Sequence, residues 1–433
     1  MRDDNREYRK LFVGVDTEIQ KEDGSKIVPI NFDNAATTPA FKLVKGNVIK
    51  YMETYGSIGR GSGLKSIETT ATYEFSRNVV LDFFNVKDDG EYTVIYVKNT
   101  TEGINLLANI LIDNKEEKVL ATRMEHHAND LPWRNVAQMM YLETDEDGKL
   151  NYDNLDNIIK ENNIKVVTIT AASNVTGYIN PINKIAKIAH ENGAMIVVDA
   201  AQIIAHSKIE ISPIIENESI DFLVFSGHKM YSPMGTGVII ARKSLIKNKK
   251  PFLRGGGAVN IVFDNEEYWG EIPEKYEAGT PNFFGVVGIV SSIIQLKELG
   301  MENIGRYEDA LKKYLFAGVR DIKNIREYGC RDCENRLSLL SINADGKDHR
   351  TVAKELSDIR GIAVRSGCFC AHSYVKRLLG LKDQDTKKYL YDENLERPGL
   401  VRISLGLYNS IDEIDEFLNV LEDISESKNK IIY

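Results

Sequence analysis

Short apolar runs alternate with helical patterns through the middle of the chain. The segments VVTITAAS (166–173), AMIVVDAAQ (194–202) and DFLVFSGHK (221–229) each contain an apolar run that is typical of a buried strand. Between the first two lies PINKIAKIAHENG (181–193), with proline at its start, apolar residues at helical spacing and glycine at its end. The segment TGVIIARK (236–243) is predicted to be a further strand, and an antiparallel direction is open to it. Apolar strands separated by helices predict an α/β fold with a largely parallel sheet covered on both faces.

The pattern changes after about residue 295. A helical stretch, an apolar run, a second helical stretch, the run LVRISLGLY and the amphipathic SIDEIDEFLNVLEDI follow one another. This order of helix, strand, helix, strand and helix predicts a smaller α/β domain. Because 433 residues are too many for one simple core, we expect a large domain over 31–295 and a small C-terminal domain over 296–433. Residues 1–30 are expected to form an N-terminal segment that packs on the small domain.

Composition and charge narrow the possible partners and the compartment. The net charge of −9 argues against nucleic acid or an anionic membrane as the main partner. The charged N-terminus does not resemble a secretory signal, and no apolar run approaches the roughly 18 residues that span a bilayer. With only four cysteines, a disulfide scaffold is not expected and a reducing cytoplasm is the expected location. Cys330 and Cys333 invite a zinc interpretation, but Cys368 and Cys370 do not complete a zinc-ribbon pattern, so no metal is predicted.

Polar residues with small neighbours follow three of the predicted strands. SNVTG (173–177) follows the first, Asp199 and Gln202 follow the second, and SGHK (226–229) follows the third. In open α/β sheets, ligands bind beyond the carboxyl ends of the strands. We therefore expect these groups to meet in one crevice, which suits a flat, polar, anionic ligand.

Lys229 is the central residue of the predicted chemistry. A lysine desolvated beside a strand end favours its neutral amine, which can bond covalently to a carbonyl carbon. Asp199, at the end of the neighbouring strand, could hold a protonated pyridine nitrogen, as pyridoxal phosphate requires. His126 could stack on such a ring, and a phosphate could be held by donors at a helix start and a strand end, namely Thr100, Thr101, Ser226 and His228. Each residue alone is more typical of a loop or a helix cap, but the set in this order is not easily explained in that way.

These residues lie within motifs of a known family. The chain resembles the class V aminotransferase family of pyridoxal-phosphate enzymes, and most closely its cysteine desulfurase and selenocysteine lyase branch. The likeness runs from NFDNAATTP (31–39) to RISLGLYN (402–409) and includes the blocks NTTEGINLLA, EHHANDLPW, SNVTG, VDAAQ, SGHKMYSPMGTG, YEAGTPN and RSGCFCAH. The resemblance implies fold type I of the pyridoxal-phosphate-dependent transferases, with a mainly parallel seven-stranded sheet in the large domain and a smaller α/β C-terminal domain.

The resemblance also implies roles for individual residues. Lys229 would bind pyridoxal 5'-phosphate covalently, and Asp199 would pair with its pyridine nitrogen. The other cofactor contacts would come from His126, Asn174, Gln202, Thr101, Ser226 and His228. Thr280 would reach the phosphate of a partner subunit, so a homodimer with shared active sites is expected.

At the substrate end, the resemblance implies two arginines and a nucleophile. Arg402 would bind the substrate α-carboxylate, Arg365 would shape the same end of the pocket, and Asn174 would lie near both cofactor and substrate. Cys370 falls on the nucleophile position, where its thiolate would take sulfur from L-cysteine as a persulfide and release L-alanine.

Two features depart from the pattern of this branch. Cys368 and Phe369 stand where close relatives usually carry two histidines, and Cys368 is either a small structural residue or an auxiliary thiol. Residues 373–399 form a longer segment than expected. This segment could recruit a sulfur-acceptor protein or alter access to Cys370, or it could be a neutral surface insertion.

Cysteine desulfurase activity, with transfer to an acceptor protein or a small thiol, is the leading hypothesis. Another enzyme of the same family is the alternative: a selenocysteine or cystine lyase, an aminotransferase or an epimerase. A nucleotide-binding oxidoreductase is disfavoured because RGGGAV (254–259) does not form the glycine-rich turn that follows the first strand of such folds.

Overall fold

The computed structural model describes residues 7–21, 23–59, 61–87, 89–215, 217–329, 334–392, 395 and 397–427. Cys330 and Cys333, for which a zinc interpretation was considered, lie outside the described residues. In the described part of the chain, no single helix is long and apolar enough to cross a membrane. One bent pair of helices, Phe283–Leu299 and Met301–Asp321, meets that test by length and composition alone.

A seven-stranded sheet forms the centre of the large domain and confirms the predicted fold class. Its strand order is β4-β10-β9-β8-β7-β5-β6. Only β10 runs antiparallel to its neighbours, β4 and β9. The seven strands are β4 (Tyr92–Val97), β5 (Lys118–Thr122), β6 (Gln138–Leu142), β7 (Ile164–Thr170), β8 (Met195–Asp199), β9 (Phe222–Ser226) and β10 (Gly237–Arg242).

Helices cover both faces of this sheet, as its apolar strands require. β9 is buried along its whole length, because a strand in a sheet covered on both faces has no solvent-exposed side. On one face, Trp133 and Leu107 belong to a cluster with side chains of β7 and β9. The helices of the large domain are Lys42–Thr54, Leu64–Phe83, Thr100–Leu111, Leu131–Val136, Leu155–Asn162, Ile182–Glu191, Lys243–Ile246 and Phe283–Leu299.

The small domain contains a four-stranded antiparallel sheet with the order β13-β14-β17-β16. The pattern predicted only β14 (Leu339–Ala344) and β17 (Leu400–Ser404), which are the two inner strands. It missed β13 (Ile325–Tyr328) and β16 (Arg365–Gly367) because edge strands can be short and polar. The helices of this domain are Met301–Asp321, His349–Arg360, His372–Leu378, Asp383–Thr386 and Ile411–Glu426.

The N-terminal segment contacts both domains. Its strands β1 (Ile19–Gln20) and β2 (Lys26–Ile27) form a hairpin, and β3 (Ile30–Asn31) pairs in parallel with β15 (Ile362–Ala363) of the small domain. The buried Phe12 ring lies 5.0 Å from the ring centroids of both Tyr231 and Tyr408, so the segment also reaches the large domain. A separate hairpin, β11 (Val259–Val262) with β12 (Glu267–Trp269), is largely exposed.

Candidate active site

The carboxyl ends of the parallel strands open into a cavity of about 470 Å³, which we call the active-site cavity. Every residue predicted for the site lines it except Thr280. These residues are Thr100, Thr101, His126, Asn174, Asp199, Gln202, Ser226, His228, Lys229, Arg365, Cys370 and Arg402. Thr280 is exposed and lines a separate cavity beside Glu277 and Asn282.

Lys229 lies directly beyond β9, in a single 3₁₀ turn formed by Gly227–Lys229. Gly227 permits this turn, since a Cβ at that position would lie 2.8 Å from Cγ1 of Ile289. The Lys229 amine donates to Oε1 of Gln202 at 3.3 Å. Burial lowers the pKa of Lys229 to about 8, although the carboxylate of Asp199 opposes that shift. The structure thus provides a lysine whose neutral form is accessible near neutral pH.

Asp199 ends the neighbouring strand β8 and is 4% exposed. Its Oδ1 accepts a hydrogen bond from the backbone N–H of Ala201 at 2.9 Å. Burial raises the pKa of this carboxyl, while the N–H of Ala201 and the charge of Lys229 favour the ionised form. A buried carboxylate of this kind is suited to hold a protonated ring nitrogen.

Another part of the active-site cavity is suited to an anion. The helix Thr100–Leu111 points its N-terminus at the cavity, and Asn99 caps it by accepting from the N–H of Glu102 at 3.0 Å. Oγ of Ser226 accepts from the N–H of Thr100 at 2.8 Å and lies 2.7 Å from its hydroxyl. Burial lowers the pKa of His228 to about 4, so this imidazole is neutral at physiological pH. A helix N-terminus with hydroxyl donors is a favourable phosphate site.

His126 is held in one tautomer beside the cavity. Its Nδ1 accepts from the N–H of Ala128 at 3.1 Å, which leaves the proton of the neutral ring on Nε2. Burial, and to a lesser extent the charge of Lys229, lower the pKa of His126 to about 3. A neutral aromatic ring is therefore available for stacking at any physiological pH.

Glu125 was not found by sequence analysis, although it precedes His126 in the EHHANDLPW motif. This carboxyl is 3% exposed, and burial raises its pKa to about 8. It accepts three hydrogen bonds, from the Thr122 hydroxyl at 2.6 Å, the Asn129 amide at 2.6 Å and the Thr170 N–H at 3.0 Å. These bonds fix the turn that carries His126 to the ends of β5 and β7.

Arg402 is 2% exposed and is held by the backbone carbonyl of Asn174 and the carboxylate of Asp33. Nη1 donates to the Asn174 oxygen at 2.9 Å, and Nη2 donates to Oδ1 of Asp33 at 3.1 Å. The guanidinium carbon lies 4.9 Å from the centroid of the Phe369 ring. Within the described part of the chain, the buried Nε has no hydrogen-bond partner. Burial lowers the pKa of Arg402 to about 10, against the opposing charge of Asp33, and the side chain remains cationic.

Asp33 is the second residue that sequence analysis missed. Besides Arg402, it pairs with Arg365, whose Nε lies 3.3 Å from Oδ2. The Arg365 side chain is 51% exposed, so this ion pair is more accessible to solvent than the pair of Asp33 with the buried Arg402. The signal was a carboxylate two residues after β3, within the motif NFDNAATTP.

The segment RSGCFCAH forms a strained loop at the mouth of the active-site cavity. Phe369 and Cys370 both adopt left-handed backbone conformations, with φ of 52° and 54°. The Asn174 side-chain amide donates to the Phe369 carbonyl at 2.8 Å, and the N–H of His127 donates to the Cys370 carbonyl at 2.7 Å. Cys370 is exposed, has a free thiol and lines the cavity that Lys229 also lines.

Cys368 does not line the active-site cavity. Its thiol donates to the backbone carbonyl of Pro398 at 3.2 Å and lines a second cavity. Burial raises the pKa of the Cys368 thiol. The structure therefore gives the two cysteines different surroundings, and the contact with Pro398 ties the loop to the end of the 373–399 segment.

The residues present fit pyridoxal phosphate. The donors around Ser226 and Thr100 suit its phosphate, the buried carboxylate of Asp199 suits its pyridinium nitrogen, and the Lys229 amine suits its aldehyde. All of them line one cavity. Within the described residues, no group of three or more His, Cys, Asp or Glu side chains could hold a metal ion.

Fold and site together define a pyridoxal-phosphate enzyme of fold type I, and comparison with known proteins shows the family. The family description "Aminotransferase class-V" matches residues 30–417, so the chain belongs to that family. A relative described as a probable cysteine desulfurase, from Streptomyces coelicolor, is 33% identical over 97% of both chains.

Two solved structures have the same fold as this chain. The apo cysteine desulfurase of Thermococcus onnurineus is 32% identical and superposes with a TM-score of 0.82, over 92% of this chain and 94% of its own. A cysteine desulfurase of Escherichia coli is 25% identical with a TM-score of 0.80, over 97% of this chain and 98% of its own. The predicted family and branch are thereby confirmed.

Proposed function

We propose that this chain is a pyridoxal-phosphate-dependent cysteine desulfurase that converts L-cysteine to L-alanine and holds the sulfur as a persulfide on Cys370. One observation carries the proposal: the Lys229 amine, the Arg402 guanidinium and the free Cys370 thiol all line one cavity. The curated relatives described as cysteine desulfurases support the same reaction. A reducing cytoplasm, where such a thiol stays free, is the proposed location.

Each of the residues that line the active-site cavity has a separate role in the proposed reaction. Arg402 and Arg365 bind the substrate carboxylate, which orients the α-carbon toward Lys229. Pyridoxal phosphate, when bound, withdraws electrons from that carbon and makes its proton acidic. The neutral amine of Lys229 then accepts the α-proton, and Asp199 keeps a proton on the ring nitrogen. Burial supports the role of Lys229 by lowering its pKa, and the N–H of Ala201 supports the ionised form of Asp199 against the opposing effect of burial.

Cys370 performs the sulfur transfer. Its thiolate attacks the substrate sulfur, and an S–S bond forms as the Cβ–S bond of the substrate breaks. The electron pair of the broken bond stays with the substrate carbon, which takes up a proton and becomes the methyl group of alanine. The exposed position of Cys370 supports this role, because the outer sulfur of the persulfide can then be reached from solvent.

A homodimer with shared active sites is part of the proposal. Thr280 is exposed and lies outside the cavity of its own chain, as expected of a residue that serves a partner subunit. Leu253 lines the same cavity as Thr280 and is exposed. A partner subunit would cover it together with other exposed apolar side chains of this part of the chain: Phe252, Ile261, Val262, Phe263 and Tyr268.

The test is alanine formation from L-cysteine by the wild type, Cys370→Ala and the matched variant Cys368→Ala. Cys370→Ala should form no persulfide detectable by mass spectrometry and should lose alanine formation. Cys368→Ala should keep both, because its thiol lines a different cavity. Unchanged turnover in Cys370→Ala would rule out the persulfide mechanism. Turnover of selenocysteine without turnover of cysteine would favour the alternative lyase activity.

A further inference from the structure

A second cavity of about 680 Å³ lies on the other side of the loop that carries Cys370, and we call it the basic cavity. It lies between the helix Leu131–Val136, the helix His372–Leu378 and the end of the 373–399 segment. Five basic side chains line it: Arg123, Arg134, Lys376, Arg377 and Arg397. This is a concentration of positive charge in a chain whose net charge is −9.

Carboxylates neutralise these cations only in part. Arg123 and Arg377 share one carboxylate, Glu143, at 3.0 and 2.9 Å. In the described part of the chain, Arg134 pairs with Asp130, and Lys376 pairs with Asp383. Arg397 is exposed and has no carboxylate within 4.0 Å among the residues that the structure describes. Counted over the residues that the structure describes, five cations against three carboxylates give the basic cavity a net positive charge, which suits an anionic occupant.

Exposed apolar side chains adjoin this charge. Leu131 and Leu390 both line the basic cavity and are 50% and 76% exposed, and the adjacent Tyr391 is 86% exposed. A small anionic thiol would leave most of this apolar surface in water. A protein partner with an acidic segment would meet the cations and cover the apolar side chains together, as protein interfaces do.

The basic cavity also lies next to the proposed sulfur donor. His127 lines it and donates its backbone N–H to the Cys370 carbonyl at 2.7 Å. The N–H of His372, which also lines it, donates to Nε2 of His127 at 3.4 Å. Only the loop that carries Cys370 would therefore separate a segment bound there from the exposed Cys370 thiol.

We propose that the basic cavity is the docking site for an acidic, cysteine-bearing segment of a protein sulfur acceptor. The inference rests on the proposed function, since Cys370 must carry a persulfide for transfer to occur. The acceptor thiolate attacks the outer sulfur of the Cys370 persulfide, the S–S bond of that persulfide breaks, and Cys370 leaves as a thiolate. The acceptor becomes the persulfide, so the exchange needs no oxidant or reductant.

The test measures binding of two fluorescently labelled peptides to the pyridoxal-phosphate-loaded protein. Both contain one cysteine and two leucines, and one carries glutamates where the other carries lysines. The acidic peptide should bind more tightly. Its affinity should fall as the ionic strength rises from about 0.01 M to about 1 M, which shortens the Debye length from about 30 Å to about 3 Å. Arg397→Glu should weaken acidic-peptide binding by about 3- to 30-fold, since an attraction becomes a repulsion.

Lys387→Glu is the matched control, because Lys387 is exposed in the same segment but does not line the basic cavity. This variant should change acidic-peptide binding by less than about twofold. Equal affinity for the two peptides, or an equal loss in both variants, would overturn the proposal. If Arg397→Glu does not fold, the salt dependence of acidic-peptide binding to the wild type tests the proposal, and an affinity that does not fall at high salt would overturn it. Displacement of the acidic peptide by equimolar glutathione would indicate a small-thiol site instead and would also overturn it.

Turnover measured with dithiothreitol as the sulfur acceptor separates this inference from the proposed function. Arg397→Glu should keep wild-type alanine formation under that condition, because Arg397 is outside the active-site cavity. Absence of alanine in the wild type would contradict the proposed function, whereas peptide binding would still report on the basic cavity.

Discussion

Replacing Arg402 by lysine tests the substrate end of the active site. The substitution keeps a positive charge but removes the planar guanidinium, which two protein oxygens now hold. These are the Asn174 carbonyl at 2.9 Å and Oδ1 of Asp33 at 3.1 Å. A lysine ammonium in this buried position can approach one of these oxygens or the substrate carboxylate, but it cannot reproduce the fork.

The expected loss follows from the hydrogen bonds that the lysine cannot make. A hydrogen bond that involves a charged group contributes about 1.5–3 kcal/mol, and Arg402→Lys should lose one such bond to the substrate. At about 1.36 kcal/mol per factor of ten, kcat/KM for L-cysteine should fall by about 10- to 150-fold. If the carboxylate is bound equally in the ground and transition states, the change should appear mostly in KM.

The assay combines steady-state alanine formation with titrations of the cofactor absorbance. Alanine carries the carboxylate that Arg402 should bind, and ethylamine lacks it. Arg402→Lys should weaken alanine binding by the same factor as kcat/KM and leave ethylamine binding unchanged. Circular dichroism should show that the variant is folded. Equal weakening of both ligands, or a kcat/KM within about threefold of the wild type, would refute the assignment.

Two further predictions concern protonation and stability. The return of yellow colour when pyridoxal phosphate is added to the apo protein requires the neutral amine of Lys229. Because burial lowers the pKa of that amine to about 8, the rate should rise with pH and level off above pH 8, and a midpoint near 10 would contradict this. Separately, Glu277→Gln should lower the free energy of unfolding by about 3–5 kcal/mol in urea titrations, because it leaves the buried Arg77 without its bidentate partner at 2.8 and 2.9 Å. The control Glu74→Gln removes a 46%-exposed partner of the same arginine and should cost less than about 1 kcal/mol.

The strand ends were predictable because parallel strands bring their carboxyl ends to one edge. Asp199 ends β8 and Lys229 follows β9, and both strands are apolar up to their last residue, so their shared position followed from the pattern alone. Asp33 was not predictable in this way, because its contact with Arg402 joins residues 369 positions apart. Glu125 was missed for a related reason. Its hydrogen bond from the Thr170 N–H joins residues 45 positions apart and depends on how β5 and β7 are placed side by side, which the sequence near Glu125 does not specify.

The unequal surroundings of Cys368 and Cys370 were also beyond the sequence. On an extended strand, two side chains separated by one residue would point to the same side. The left-handed conformations of Phe369 and Cys370 break that alternation and turn Cys370 into the active-site cavity. Such conformations depend on contacts with the distant Asn174 and His127, which hold the two carbonyls.

The left-handed backbone at position 370 has an evolutionary consequence. An L-residue with a side chain pays about 1–2 kcal/mol for this conformation, and glycine does not. Stability alone would thus favour glycine at this position, and the presence of cysteine there points to selection for the thiol against the preference of the fold. Cys370→Gly should accordingly melt at a higher temperature than Cys370→Ala, with both variants inactive. The loop would then be a site where the most stable sequence and the most reactive sequence differ by a single side chain.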